Sequence, residues 1–199
     1  MNKWKRALFL VLSLAFVSLT AQGRGNRDDN GDTVTLDPHR ERHALQTLLN
    51  VIRKEVVSAA NAMPADKYNF APTDGEFKDV RTFGQMVKHL SATNYILSSA
   101  ALGEAPPADA GDELGPEAVR TKAEIIEYLK GSFASLDKAI EAIGQNTVPV
   151  KATPISPLKD TEATRLALVV ESFVHTYDHY GQMVEYLRMN GIVPPASRP

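Results

Sequence analysis

Phe173-Val174-His175-Thr176-Tyr177-Asp178-His179-Tyr180-Gly181-Gln182-Met183 is the stretch that decides how this chain is read. It contains no proline, and its apolar residues return at helical spacing. His175 and His179 stand four apart, so on a helix they stack on one face, close enough to share an ion. At about 100° per residue, Phe173, Tyr177, Tyr180, Val184 and Leu187 form the main apolar stripe. Glu171, Asp178 and Glu185 form a narrow acidic stripe that must meet water. The two histidines lie on neither stripe and share a sector with Leu168, Gln182 and Tyr186. Only one edge of the helix is clearly solvated, so its imidazoles are expected to face protein or a cavity.

Outward from this stretch, the pattern predicts a helix running from a cap at Asp160-Thr161 to Asn190. Gly191 is its C-cap glycine, and Pro194 and Pro195 forbid continuation. A proline-rich linker with Pro149, Pro154 and Pro157 precedes it. Before that, Ile125, Leu129, Phe133, Leu136, Ile140 and Ile143 are in helical phase, predicting a third helix from about Glu117 to Ile143. Thr82-Phe83-Gly84-Gln85 reads as a capping box opening the second helix, with Phe83, Met86, Val87, Leu90, Leu97 and Ala101 as its stripe. The first helix starts at Asp37-Pro38, an N-cap followed by proline, and carries Leu45, Leu48, Leu49, Ile52, Val56, Ala59 and Met63. No strand run or internal repeat interrupts this series. The expected fold is all-α, an antiparallel four-helix bundle over residues 37–195. Its linkers of 14 to 18 residues exceed a simple turn and predict a crossover connection.

Composition narrows the function. Hydrophobic residues at 43% and charged residues at 23% fit a folded globular chain. A net charge of -2 with no basic block beyond the first residues argues against a nucleic-acid partner. The absence of cysteine excludes disulfides, thiolate ligands and a cysteine nucleophile. Any metal must be held by imidazole, carboxylate or backbone oxygen, which suits zinc, nickel, iron or manganese.

The N-terminal segment reads as a signal peptide over residues 1–21. Lys3, Lys5 and Arg6 are followed by an apolar run of 14 residues, Ala7 to Thr20. That run is short of the ~20 residues a transmembrane helix needs. Residues 22–36 are polar, rich in Gly, Asp and Asn, and read as a flexible leader. The expectation is an exported, periplasmic or secreted protein with no stable membrane anchor after processing; an uncleaved anchor is the alternative.

Helix two supplies a third imidazole. His89 lies beside the apolar stripe, in a sector with Ile96 and Ala100. By itself it reads equally as a core-edge histidine bonded to a carbonyl, and spacing does not show that all three histidines converge. His39 and His43 share the same four-residue spacing but sit opposite Leu45, Leu49 and Ile52, on a face expected to be solvated.

At these residues the chain resembles the DinB-like family. The matching segments are Thr82-Phe83-Gly84-Gln85-Met86-Val87-Lys88-His89-Leu90, with the proline-interrupted loop before it, and His175-Thr176-Tyr177-Asp178-His179-Tyr180-Gly181-Gln182. Tyr186 to Pro195 is similar to one exported branch. The resemblance implies a four-helix bundle, often a homodimer, with one divalent metal held by His89, His175 and His179, zinc or nickel being expected. Relatives differ in reaction, from transfer of low-molecular-weight thiols to isomerisation, and export would separate this chain from the cytosolic thiol pool.

Three neutral imidazoles leave a coordination position open, as in catalytic rather than structural sites. The resulting expectation is a metal-dependent enzyme acting on a small-molecule substrate by hydrolysis or group transfer. The rival is a non-catalytic stress protein that binds a metal or small ligand. Gln182, one turn from His179, either orients a ligand or is a buried polar residue satisfied by backbone. Asp178 belongs to the acidic stripe rather than to the ligands, and Tyr177 and Tyr180 are expected in the core.

Overall fold

A computed structural model of the chain describes residues 37–107, 110, 112–144 and 150–198. The expected signal peptide (1–21) and leader (22–36) lie outside the described residues. Four α-helices make up most of the described chain: α1 Pro38–Ala62, α2 Phe83–Leu102, α3 Lys122–Glu141 and α4 Arg165–Met189. Two single 3-10 turns, Ala65–Lys67 and Pro195–Ser197, are the other regular elements. There is no strand among the described residues. The all-α bundle is as the periodicity requires.

The helix starts are fixed by side chains that satisfy free backbone N–H groups. Asp37 accepts from the His39 backbone, with Pro38 in the first turn. Thr82 and Gln85 form the complete capping box of α2. Two predicted starts are displaced. α3 begins at Lys122 rather than near Glu117, because Thr121 and Glu124 make a second complete capping box. α4 begins at Arg165, capped by Thr164, rather than at Asp160-Thr161. Asp160 instead accepts from the Ala152 backbone across the linker, at 3.1 Å.

Cross-links between helices give their directions. Arg42 reaches the Ile143 carbonyl and Lys122 the Met63 carbonyl, so α1 and α3 are antiparallel. Arg165 donates to the Ala101 carbonyl and Tyr186 to the Arg81 carbonyl, so α2 and α4 are antiparallel as well. α2 and α3 run the same way: Gly84 lies against Ile125, and Ser98 shares a 2.6 Å hydrogen bond with Ser135. The segment between α2 and α3 is therefore the expected crossover, returning along the length of the bundle.

α2 is the most enclosed helix, with 15 of its 20 residues buried. Fully enclosed side chains from all four helices make up the core, including Leu49, Phe83, Leu90, Leu129, Phe133, Leu168 and Met183. Each such side chain contributes ~1.5–3 kcal/mol by leaving water. The link before α2 is tied to its first turn, since Phe83 and Gly84 donate to the Phe70 and Tyr68 carbonyls. A Cβ on Gly84 would stand 3.1 Å from the Tyr68 ring and 3.2 Å from its carbonyl, so glycine permits this close seam.

Three core assignments need correction. Leu48 is 53% exposed, outside the α1 core face. Tyr177 is 42% exposed and Val184 only half-buried, so the apolar stripe expected for α4 is rotated from the face that is buried. The buried face of α4 is Leu168, Val169, Ser172, Phe173, Thr176, His179, Met183, Tyr186 and Leu187. Asn94 of α2 explains the polar members: its carbonyl oxygen accepts from Ser172 at 2.6 Å and Thr176 at 3.1 Å. A hydrogen-bonded hydroxyl can be buried where an unpaired one cannot.

Candidate metal centre

The antiparallel α2–α4 pair brings His89, His175 and His179 together. Their candidate ligand atoms all lie within 4.8 Å of one another. His175 Nε2 stands 3.1 Å from His89 Nε2 and 3.1 Å from His179 Nε2. The rings meet edge to face, with centroids 4.4–5.0 Å apart. His89 and His179 are buried and His175 half-buried.

The other nitrogen of His89 lies 2.7 Å from the Glu113 carbonyl, in the crossover segment. A carbonyl only accepts, so His89 donates from Nδ1, and in the neutral ring Nε2 is then a lone pair. If His175 Nε2–H donates to that lone pair, it has none left for His179. If instead it accepts from His179, it faces His89 lone pair to lone pair. No arrangement of neutral imidazoles makes both 3.1 Å contacts hydrogen bonds. A cation among the three removes the conflict. Nitrogens ~2.0–2.1 Å from a shared ion would be separated by about 2.9–3.4 Å at ordinary ligand angles. The donor set fits a divalent ion.

Protonation points the same way. Burial lowers the pKa of all three rings, and pushes His175 down to about 3, with His179, His89 and Arg81 adding repulsion. For His89 the Glu113 carbonyl and carboxylate act upward against burial. For His179 burial is followed by repulsion from His89, while Asp178 acts upward. Neutral imidazole is the form a metal requires. His175 Nδ1 and His179 Nδ1 are buried without a hydrogen-bond partner, as is the hydroxyl of Thr93, one turn from His89.

Gln182 is exposed and donates to Asp178 at 3.0 Å, so it is not a buried residue satisfied by backbone. Asp178 is exposed and outside the cluster. His39 and His43 are exposed on α1, with His39 Nδ1 2.9 Å from Arg42. Residue types alone do not reveal Glu113, which acts through its backbone. Nor do they single out Arg81, which stands beside the Thr82 cap and lowers the pKa of each of the three histidines. The proximity of Ser172 and Thr176 on an otherwise apolar face is the available sign of a polar partner such as Asn94.

Two clefts of about 450 and 440 Å³ share Arg81, with Asp79 and Val80, in their walls. The first is lined by Phe77, Val80, Met86, Gln182, Tyr186 and Met189 among others. Met86 precedes His89 by one turn, and Gln182 follows His179 by one turn. Because α2 and α4 are antiparallel, both place this cleft on the same side of the histidines.

An all-α bundle with imidazoles from facing helices converging at a buried point has a donor set that could hold a metal ion. The sequence model of the DinB superfamily matches residues 48–183, more than half of the chain. The chain belongs to that superfamily. The matched span contains His89, His175 and His179 and leaves out His39 and His43. No curated protein matches the chain.

Proposed function

We propose that His89, His175 and His179 hold one divalent ion, zinc or nickel, and that the protein uses it on a small molecule by hydrolysis or group transfer. The observation that carries this reading is the pair of 3.1 Å nitrogen contacts that neutral rings cannot both satisfy. When bound, the ion supplies Lewis acidity, or a water made acidic enough to lose its proton near neutral pH. The chain's own groups do the positioning. Glu113 fixes the His89 tautomer from the crossover, the kind of outer support that orients metal-bound imidazole. Asn94 holds the α4 face that carries the histidine pair. Gln182 lines the adjoining cleft and acts on the His179 ring one turn away, placed to meet a ligand beside the ion.

Elemental analysis of protein purified without chelators, with a panel of hydrolysable and electrophilic small molecules, tests the reading. One ion per chain and metal-dependent turnover are expected. A bound ion with no turnover across the panel supports the non-catalytic binding protein instead, and no uptake of any ion removes the site.

The basic start and apolar run of residues 3–20 support export with cleavage near Gln22, checked by the N-terminal mass of the extracytoplasmic protein. A homodimer is supported by exposed apolar residues on the neighbouring helices α1 and α4: Leu48 and Val51 on the first, Val170 and Val174 on the second. Light scattering should give twice the chain mass, and Val174→Lys should give a monomer.

A further inference from the structure

Arg81 is the least explained charge in the described structure. Its Nε is buried with no hydrogen-bond partner, and none of the ion pairs among the described residues includes it. A buried guanidinium nitrogen without an acceptor is costly, and arginine presents a fork that matches an oxyanion. The backbone around it is held in place. Its carbonyl accepts from the Tyr186 hydroxyl at 3.1 Å, and Thr82 next to it caps α2. Asp79, two residues before, adopts φ 62, a left-handed conformation that aspartate tolerates better than most residues. This turn sets the side chain of Arg81 between the two clefts, lining both.

Charge and shape around it are unequal. The three histidines contribute no charge in neutral form, so Arg81 is the unpaired positive group of the cleft wall. Of the acids on the first cleft, Glu185 is paired with Arg188, and Asp79 is exposed at the rim. Glu113 lies on the far side of His89, its carboxylate 3.9 Å from Nδ1. The rest of the cleft wall is largely apolar: Phe77, Val80, Met86, Tyr186 and Met189.

We propose that Arg81 anchors an oxyanion, and that the molecule taken is a small amphiphilic acid. Its anionic group pairs with Arg81, and its apolar body lies in the cleft between Phe77, Met86 and Met189, one helical turn along α2 and α4 from His89 and His179. This assignment rests on the reading of the histidines as a metal centre for its role in turnover, while the anion contact itself is a property of Arg81.

Calorimetric titration of the zinc-loaded chain with phenylacetate, and with phenylacetamide as a similar shape lacking the charge, tests it. Phenylacetate should bind at least tenfold more tightly. Arg81→Met should lose that preference while keeping one zinc per chain and its helical circular dichroism, and Arg81→Lys should keep part of it. Met189→Ala should weaken acid and amide alike. Equal binding of the two probes, binding of neither, or a full preference in Arg81→Met overturns the proposal. His175→Ala separates it from the metal reading. A chain that has lost zinc yet still prefers the acid through Arg81 supports the anchor on its own. A preference that vanishes with the ion and ignores Arg81 makes the carboxylate an ion ligand, which overturns the anchor and leaves the metal centre standing.

Discussion

His39 and His43 on α1 and His175 and His179 on α4 have the same spacing, yet only the second pair meets a third histidine. The first pair sits in the opening turns of a helix, on a face left exposed, with Arg42 as its nearest partner. The second lies mid-helix, where α4 packs antiparallel on the most enclosed helix of the bundle. A four-residue histidine spacing is thus a statement about one helix. A site needs the opposing helix, and it needs something to hold the two helices face to face. For α4 that is Asn94 with Ser172 and Thr176, below the crossover that places Glu113 on His89.

The largest effect that could break this contrast is on metal affinity. Losing an outer-shell partner costs a metal site roughly 10–100-fold. Losing a ligand should cost more, so His175→Ala, His179→Ala and His89→Ala should each weaken zinc binding by over a hundredfold in a competitive chelator titration. His39→Ala and His43→Ala should leave it unchanged. The reverse result would assign the wrong pair.

Next in size is the residue that holds the α4 face. Asn94→Ala removes the acceptor of two buried hydroxyls, each worth ~1–3 kcal/mol when left unsatisfied. Both hydroxyls can turn to carbonyls of their own helix, so the expected loss is about 2–4 kcal/mol in urea unfolding, with weaker zinc binding. An unchanged midpoint would mean that the apolar contacts alone orient the helix.

The same polar residues explain what is legible in the sequence. All six apolar positions read for α2, and all six for α3, are buried; α2 is so enclosed that its polar Ser91, Asn94 and Ser98 are buried beside them without displacing the reading. On α4 the inward face carries Ser172, Thr176 and His179, so apolar periodicity settles on Phe173, Tyr177, Tyr180 and Val184 instead. That turns the helix away from Ser172 and Thr176. The error falls where polar groups are needed inside. The histidines are recognisable through their sector between the two stripes, a feature that survives the turn. The late start of α3 has a local cause, since Thr121 and Glu124 supply a capping box downstream of Glu117. Glu113 is beyond reach in principle, because any residue offers the same carbonyl.

A third test concerns protons. The folded-state pKa of His175 lies below the ~6.5 of an unfolded chain, at about 3. The fold therefore favours the neutral ring, and the stability it gains is fully present above pH ~6.5. As pH falls toward about 3 the unfolded chain binds a proton that the folded chain does not. The metal-free protein should then lose about 1.4 kcal/mol per pH unit from this ring. His175→Gln should flatten that slope in urea melts taken between about pH 7 and 4. An unchanged slope would show that the ring is solvated in the metal-free state, and that the α4 pair differs less from the α1 pair than its burial indicates.

The smallest effect belongs to the α1 end. Asp37 accepts from the His39 backbone at 3.0 Å and caps the helix at the turn that carries His39 and His43. Its contact with Arg40 spans 3.6 Å between exposed groups and should add little. Asp37→Ala should therefore cost only the cap, about 1 kcal/mol, lowering the melting midpoint by roughly 2–4 °C. Zinc affinity should not move. α1 packs chiefly on α3 and α4, and fraying of its first turn leaves Leu49, Ile52 and Val56 packed behind it. A drop in zinc affinity alongside the small loss of stability would be the informative failure. It would mean that the first turn of α1 helps to hold the α2–α4 geometry, and that the exposed pair is coupled to the buried one.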